Sequence, residues 1–183
     1  MDPSGRNIFY LNSKGVPQVT KYASSNDRIL FDGMMLTKTG QMQLKQMVKS
    51  STRIHLEYKD VCVNDVDNIT YAETYQGRMG ADNGIYKENG IFKLEDATIT
   101  FYIKSIEKSL TDKDSDNFGY TMAEAMGAEG THESVHASDT MEVHKDISSA
   151  NGGAKRTKEE SELKARKEEQ NYRNELHKQK EKI

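Results

Sequence analysis

His132, Glu133 and His136 form H-E-x-x-H within the stretch THESVHASD at residues 131–139. Two histidines four apart on a helix sit one turn apart on the same face. Their ring nitrogens can then meet at one zinc ion, at about 2.0–2.1 Å each. Glu133 follows the first histidine, roughly 100° further round the helix. It is poorly placed to be a ligand and well placed to hold a water beside the metal. Zinc brings the pKa of such a water to about 7. Glu133 then takes the proton as the water attacks a carbonyl and delivers it to the leaving amine. The same five letters also arise by chance on polar helices, so the elements around them have to be weighed.

A catalytic zinc usually keeps three protein ligands and one open position. Glu142 stands ten residues after His132, where metzincins place their third ligand. Those enzymes turn the chain back at a glycine, and here that slot is Asp139, which lacks glycine's freedom. His144, eight residues after His136, is too far along a continuous helix. Ahead of Glu142, which stays open, comes a glutamate from the next helix, with Glu159, Glu160 and Glu162 all qualifying by spacing. Glu162, Glu169 and Arg173 are seven and four residues apart and share one face. Turned inward, that face offers a ligand, a second acid and an arginine; turned outward, it is a solvated helix laced with ion pairs. Asp139 lies on the face of His132 and suits the carboxylate that accepts the histidine N–H pointing away from a metal. A plain surface aspartate is the competing account.

The elements that must position these groups read as follows. Residues 1–33 mix short apolar pieces with turn formers, an extended lead-in with one or two short strands. TKTGQMQLKQMVKS (37–50) is an amphipathic helix capped by Thr37 or Thr39, with Leu44, Met47 and Val48 on its core side. RIHLEYKDVCV (53–63) alternates as a strand, and residues 77–96 suggest turns around short strands. ATITFYIKSI (97–106) is the strongest strand pattern, either a central strand or the edge that pairs with an extended substrate. TDKDSDN (111–117) lacks the glycine and glutamate of an EF-hand loop. Tyr120 to about His144 reads as one helix, weakened in its first half by two glycines. After a loop at 146–155, Thr157 and Glu160 form a capping box that opens the C-terminal helix. Strands and a helix, then two helices, make an α+β layout.

With 183 residues the chain suits one domain. Its net charge of −3 gives no general pull toward nucleic acid. The last 29 residues hold ten Lys and Arg, which motivates a nuclease-toxin reading, but seven Glu are interleaved with them, as on a solvated helix. No apolar run is long enough to span a bilayer, so no membrane insertion is expected. The start, MDPSGRNIFY, lacks the basic and apolar segments of a signal peptide. The single cysteine, Cys62, reads as a small half-buried strand residue.

AEAMGAEGTHESVHASD resembles the active-site helix of zincin-type metallopeptidase toxin domains, found at the C-termini of bacterial RHS-repeat and other polymorphic toxins. ESELKARKEEQNYRNEL resembles the downstream helix of those domains, with Glu162, Ala165, Glu169, Asn171, Tyr172 and Arg173 on the matching positions. DPSGRNIFYLNSKG resembles the junction where an RHS-type core ends and the toxin begins. The tail HKQKEKI departs from the Gly-x-Pro-x-Arg stretch that often follows in the family.

The resemblance implies a small zincin-like, gluzincin-like metallopeptidase domain at 34–183, after a junction at 1–33 from a larger carrier chain. It selects Glu162 as third zinc ligand beside His132 and His136, with Glu133 as general base. It also implies support of the site or transition state from Glu169, Tyr172 and Arg173. The expected partners are a protein or peptide substrate, a cognate immunity protein and the RHS-type carrier. The expected location is a target cell, reached from the producing cell by a contact-dependent or type VI system. A chain without disulfides suits carriage in an unfolded form. The competing function is a catalytically inactive zincin-like module that binds a target or immunity protein. A purely structural zinc site would need no general base and would close with a fourth ligand.

Overall fold

The computed structural model describes residues 8–61, 70–76 and 84–182. Its architecture is α+β. Strands β1 (Phe9–Leu11) and β2 (Pro17–Val19) pair as an antiparallel hairpin. Helices α1 (Ser25–Met35) and α2 (Lys38–Lys49) follow. Next come β3 (Arg53–Lys59), β4 (Ala72–Gln76), β5 (Ile85–Glu88), β6 (Ile91–Leu94) and β7 (Asp96–Tyr102). The rest is helical: α3 (Ile103–Ser109), α4 (Met122–Ser138), α5 (Thr140–Ala150) and α6 (Lys158–Lys180). The Asp2–Gly5 junction and Cys62 lie outside the described residues.

The main sheet has the order β3-β7-β4. β7 runs parallel to β3 and antiparallel to β4, with Leu56 and Thr74 both opposite Ile99. β7 is therefore central rather than an edge, and Ala97, Ile99 and Phe101 are fully buried. The strand is shorter than the expected 97–106, because the apolar spacing changes at Ile103. Ile103 and Ile106 are three apart, a helical interval, and Ile106 is buried as part of α3. β5 and β6 form a separate hairpin. Its two-residue turn is Asn89–Gly90, both with positive φ (51° and 81°), the conformation that Asn-Gly adopts most readily between twisted strands.

α4 is the centre of the molecule, packed by α1, α2, α6 and β4. Its small residues make this possible. A Cβ on Gly127 would meet the Tyr172 hydroxyl at 2.2 Å and the Gly33 carbonyl carbon at 2.5 Å. The glycines that weaken the helix on propensity grounds thus serve backbone approach. α1 was not expected, since its SSND start reads as a turn. Ser24 is instead an N-cap, accepting from the Asp27 N–H, while the Asp27 side chain accepts from the Ser24 N–H at 2.7 Å. α1 runs across residue 33 and sends Leu30 and Met34 into the same core as the later elements.

The long helix expected from Tyr120 to His144 is divided at Asp139. This residue ends α4 and caps α5, its side chain accepting from the Met141 and Glu142 N–H groups at 3.1 Å each. Aspartate favours this because its short carboxylate satisfies the free amides of a helix start. α5 in turn extends to Ala150, so the expected loop at 146–155 is confined to its second half. α6 opens on the Thr157–Glu160 capping box. Near its other end Glu175 accepts from the Lys38 and Thr39 N–H groups at 2.6 and 3.2 Å, which locks α6 onto the start of α2.

Candidate metal centre

α4 and α6 cross with Ala165, fully buried, between Glu162 and Glu169 on the contacting face. The small side chain lets the two glutamates flank His132. Nε2 of His132 lies 3.0 Å from Glu162 Oε2, and Nδ1 lies 2.9 Å from Glu169 Oε2. Nε2 of His136 lies 3.5 Å from the same Glu162 oxygen. That nitrogen is buried and has no hydrogen-bond partner.

One donor atom from each of His132, His136 and Glu162 falls within 4.8 Å of the others. In a tetrahedral zinc site with bonds near 2.0–2.1 Å, ligand atoms are about 3.3–3.4 Å apart. The separations of 3.0 and 3.5 Å bracket that spacing. The orphaned His136 nitrogen and the mixed imidazole–carboxylate donor set fit a divalent transition ion. Glu133 is outside the three-residue cluster and lines the adjoining cleft, which has a volume of about 780 Å³.

The charges are unusual for so buried a place. Burial opposes a charge on His132, but its hydrogen bonds to Glu162 and Glu169 outweigh it and push the imidazole up to about 10. The hydrogen bond from His132 and the nearby His136 imidazole hold the Glu162 carboxyl far below the ordinary range, against its partial burial. Burial raises the Glu133 carboxyl, with His132, Thr74 and His136 pulling it back only in part. A raised carboxyl is a better proton acceptor when ionised.

β4 walls the cleft and is an edge of the sheet. Thr74 Oγ1 donates to the Glu133 carbonyl at 3.1 Å, and Gln76 Nε2 donates to the His136 carbonyl at 3.1 Å. Both bonds fix the strand alongside the histidine turn of α4. The sequence around β4 has too little alternation of apolar residues to mark it as this wall.

The expected supporting residues divide. Glu169 faces His132, and Arg173 grips Glu169 through Nε at 2.8 Å. Asp139 does not reach His132; Lys164 Nζ donates to it at 2.5 Å, and its other oxygen caps α5. The role expected of Asp139 falls to Glu169. Tyr172 also lies elsewhere, buried, with its hydroxyl donating to the Gly33 carbonyl at 2.7 Å. Glu142 is tied to Lys145 and Arg156, although the chain does break at Asp139 without a glycine. Glu160 is occupied in the cap, Glu159 is exposed, and His144 accepts from the Phe92 N–H at 3.1 Å.

Two residues of this neighbourhood escape sequence reasoning. Glu129 is buried beside Arg173 and pushed up to about 7, first by burial and then by Glu169. Its position three residues before His132 was the available signal, by helical spacing. Asn117, in the loop before α4, carried none. Set against protein-family models, curated proteins and solved structures, the chain matches none of them.

Proposed function

We propose that the chain is a zinc-dependent endopeptidase of the zincin type, with His132, His136 and Glu162 holding the metal. The observation that carries this is the placement of three donors from two helices around one point, with Glu133 beside them at an open cleft. When bound, zinc supplies the positive charge that acidifies a water and polarises a peptide carbonyl. Glu133 receives the proton of the attacking water and returns it to the leaving amine. Glu169 holds the His132 ring in one orientation through Nδ1. Among the described residues β4 pairs only with β7, so its other edge offers backbone groups to an extended peptide, which favours a polypeptide substrate.

The test is zinc content and peptide hydrolysis in wild type and Glu133→Gln. The variant should keep one zinc and lose about 10²–10⁴-fold in rate, since only the proton acceptor is gone. Cleavage by the variant at the wild-type rate would remove Glu133 from the chemistry.

The biological role we propose is a toxin delivered into a target cell from a larger RHS-type carrier and held in check in the producer by an immunity protein. The resemblance of the two helices and of the Asp2–Gly5 stretch to polymorphic toxin domains supports it. Expression in a bacterial cytosol and, separately, in the periplasm should arrest growth in one of them, and Glu133→Gln should abolish the arrest. Normal growth in both would count against a bacterial target. An inactive binding module is disfavoured by the fit of Glu133 beside the cluster, because binding needs no general base.

A further inference from the structure

Arg173 has five guanidinium N–H groups on three nitrogens, and every one of the three nitrogens meets an acceptor. Nε lies 2.8 Å and Nη2 2.7 Å from Glu169 Oε1. Nη2 also reaches Glu129 Oε1 at 3.4 Å. Nη1 donates to the Asp116 carbonyl at 3.0 Å and to Asn117 Oδ1 at 2.9 Å. The loop between α3 and α4 therefore supplies both acceptors of one guanidinium nitrogen.

Asn117 is fully buried, and its amide has only one workable orientation. Arg173 can only donate, so it must face the oxygen. On the other side Nδ2 lies 3.2 Å from Ser109 Oγ. The Ser109 proton is already committed to the Ile106 carbonyl at 2.6 Å, so Ser109 must accept. Nδ2 also points toward Glu129 Oε1 at 3.5 Å. The loop that carries Asn117 is itself pinned. The Asn117 N–H donates to Ser115 Oγ at 3.1 Å, and the Gly119 N–H donates to the Leu110 carbonyl at 3.0 Å.

From these contacts we infer that Asn117 is a positioning residue of the metal site, setting the His132 ring through Arg173 and Glu169. Each link has a single proton direction, from Arg173 outward to Asn117 on one side and to Glu169 on the other. Removing the Asn117 acceptor leaves Nη1 with the Asp116 carbonyl alone and loosens that end of the guanidinium. Arg173 then holds Glu169 less rigidly, and Nδ1 of His132 has a less fixed acceptor. The loop before α4 thereby sets the geometry of a site to which it gives no ligand. The inference rests on the proposed metal-binding role of His132.

The experiment uses the full chain and two readouts. In the metal-free protein, the His132 Nδ1–H resonance should be visible by NMR in wild type and lost by exchange in Asn117→Leu. Zinc affinity, measured by chelator competition, should fall about tenfold, at the lower end of the effect of outer partners on a bound metal. Arg173→Met should show the same loss, and Asn117→Leu should add nothing further in that background. A merely structural role would lower thermal stability without this non-additivity. If Asn117→Leu does not fold, Ser109→Ala tests the same link, since it unfixes the Asn117 amide, and should still speed exchange at His132. Unchanged exchange together with zinc affinity within about twofold of wild type overturns the inference, given the usual size of such effects. A wild type that binds no zinc removes the metal reading instead, and the resonance alone then judges the clamp.

Discussion

Glu169 Oε2 lies 2.9 Å from Nδ1 of His132, while the other ring nitrogen of His132 faces Glu162. The imidazole is thus held between two carboxylates from one helix. A ligand histidine whose second nitrogen is bonded to a carboxylate is fixed in ring orientation and made more basic. Glu169→Gln keeps the shape but removes the charge. Zinc affinity should fall by about 10–100-fold, with the helical content unchanged. Chelator competition at fixed pH measures it, and an affinity equal to wild type would show that the carboxylate does not tune His132.

Asp139 joins α4, α5 and α6 through its two oxygens. Partial burial raises its carboxyl, but the Lys164 bond and the Glu142 N–H outweigh that and hold it below its ordinary 3.8. A carboxyl whose folded pKa is depressed stabilises the fold above its unfolded pKa and loses that contribution as the pH falls through the folded one. Asp139→Asn retains a capping oxygen but not the charge. Its thermal stability should lie below wild type at pH 7, and the gap should close as the pH drops below about 4. The Lys164 side chain is 41% exposed, so solvent screening makes the ion pair itself a small part of the difference. Asp139→Ala also removes the cap and should cost about 1 kcal/mol more. A gap that stays constant down to pH 2 would rule out the charge as its source.

The close passage of α1 over α4 gives a sharper stability test. A Cβ on Gly127 would strike the backbone of Gly33 and the Tyr172 hydroxyl, whereas one on Gly130 would meet the Leu30 Cδ1 end and the Met34 sulfur. Backbone cannot move aside as a side-chain end can. Gly127→Ala should destabilise by about 1–3 kcal/mol, a fall in Tm of roughly 2–12 °C. Gly130→Ala should lose less. The reverse order in thermal melts would mean that α1 is not seated as described.

Much of the centre was legible because its signals are local. The four-residue spacing of His132 and His136 and the Thr157–Glu160 capping box each act within a few residues. The choice of Glu162 rests on resemblance, since spacing alone leaves Glu142, Glu159 and Glu160 open. What sequence did not reveal depends on distant chain. β4 becomes the cleft wall only because β7 lies between it and β3. Asp139 looked like a residue within a continuous helix, since the amides it caps exist only once the helix has broken. SSND read as a turn because Ser and Asp serve turns and caps equally well. The burial of Leu30 and Met34 by α4 decides between them.

Tyr172 and Arg173 are adjacent yet serve different parts of the molecule. The Arg173 guanidinium grips Glu169, while the Tyr172 hydroxyl crosses to the Gly33 carbonyl in the core between α1 and α6. A tyrosine close in sequence to the proposed zinc ligand Glu162 suggests a donor to the transition state, but this hydroxyl is already committed at 2.7 Å and its residue is fully buried. Tyr172→Phe deletes the bond while keeping the ring. The Gly33 carbonyl still accepts from the Leu36 N–H at 3.1 Å, so it is not left without a partner. The cost should therefore be that of one ordinary hydrogen bond, about 1 kcal/mol, or roughly 2–4 °C in Tm. Zinc affinity and the rate of peptide hydrolysis below the melting range should match wild type. Arg173→Met, one residue on, should instead weaken zinc binding. A large fall in kcat for Tyr172→Phe, with zinc content and folding intact, would mean that the hydroxyl leaves Gly33 to reach the substrate.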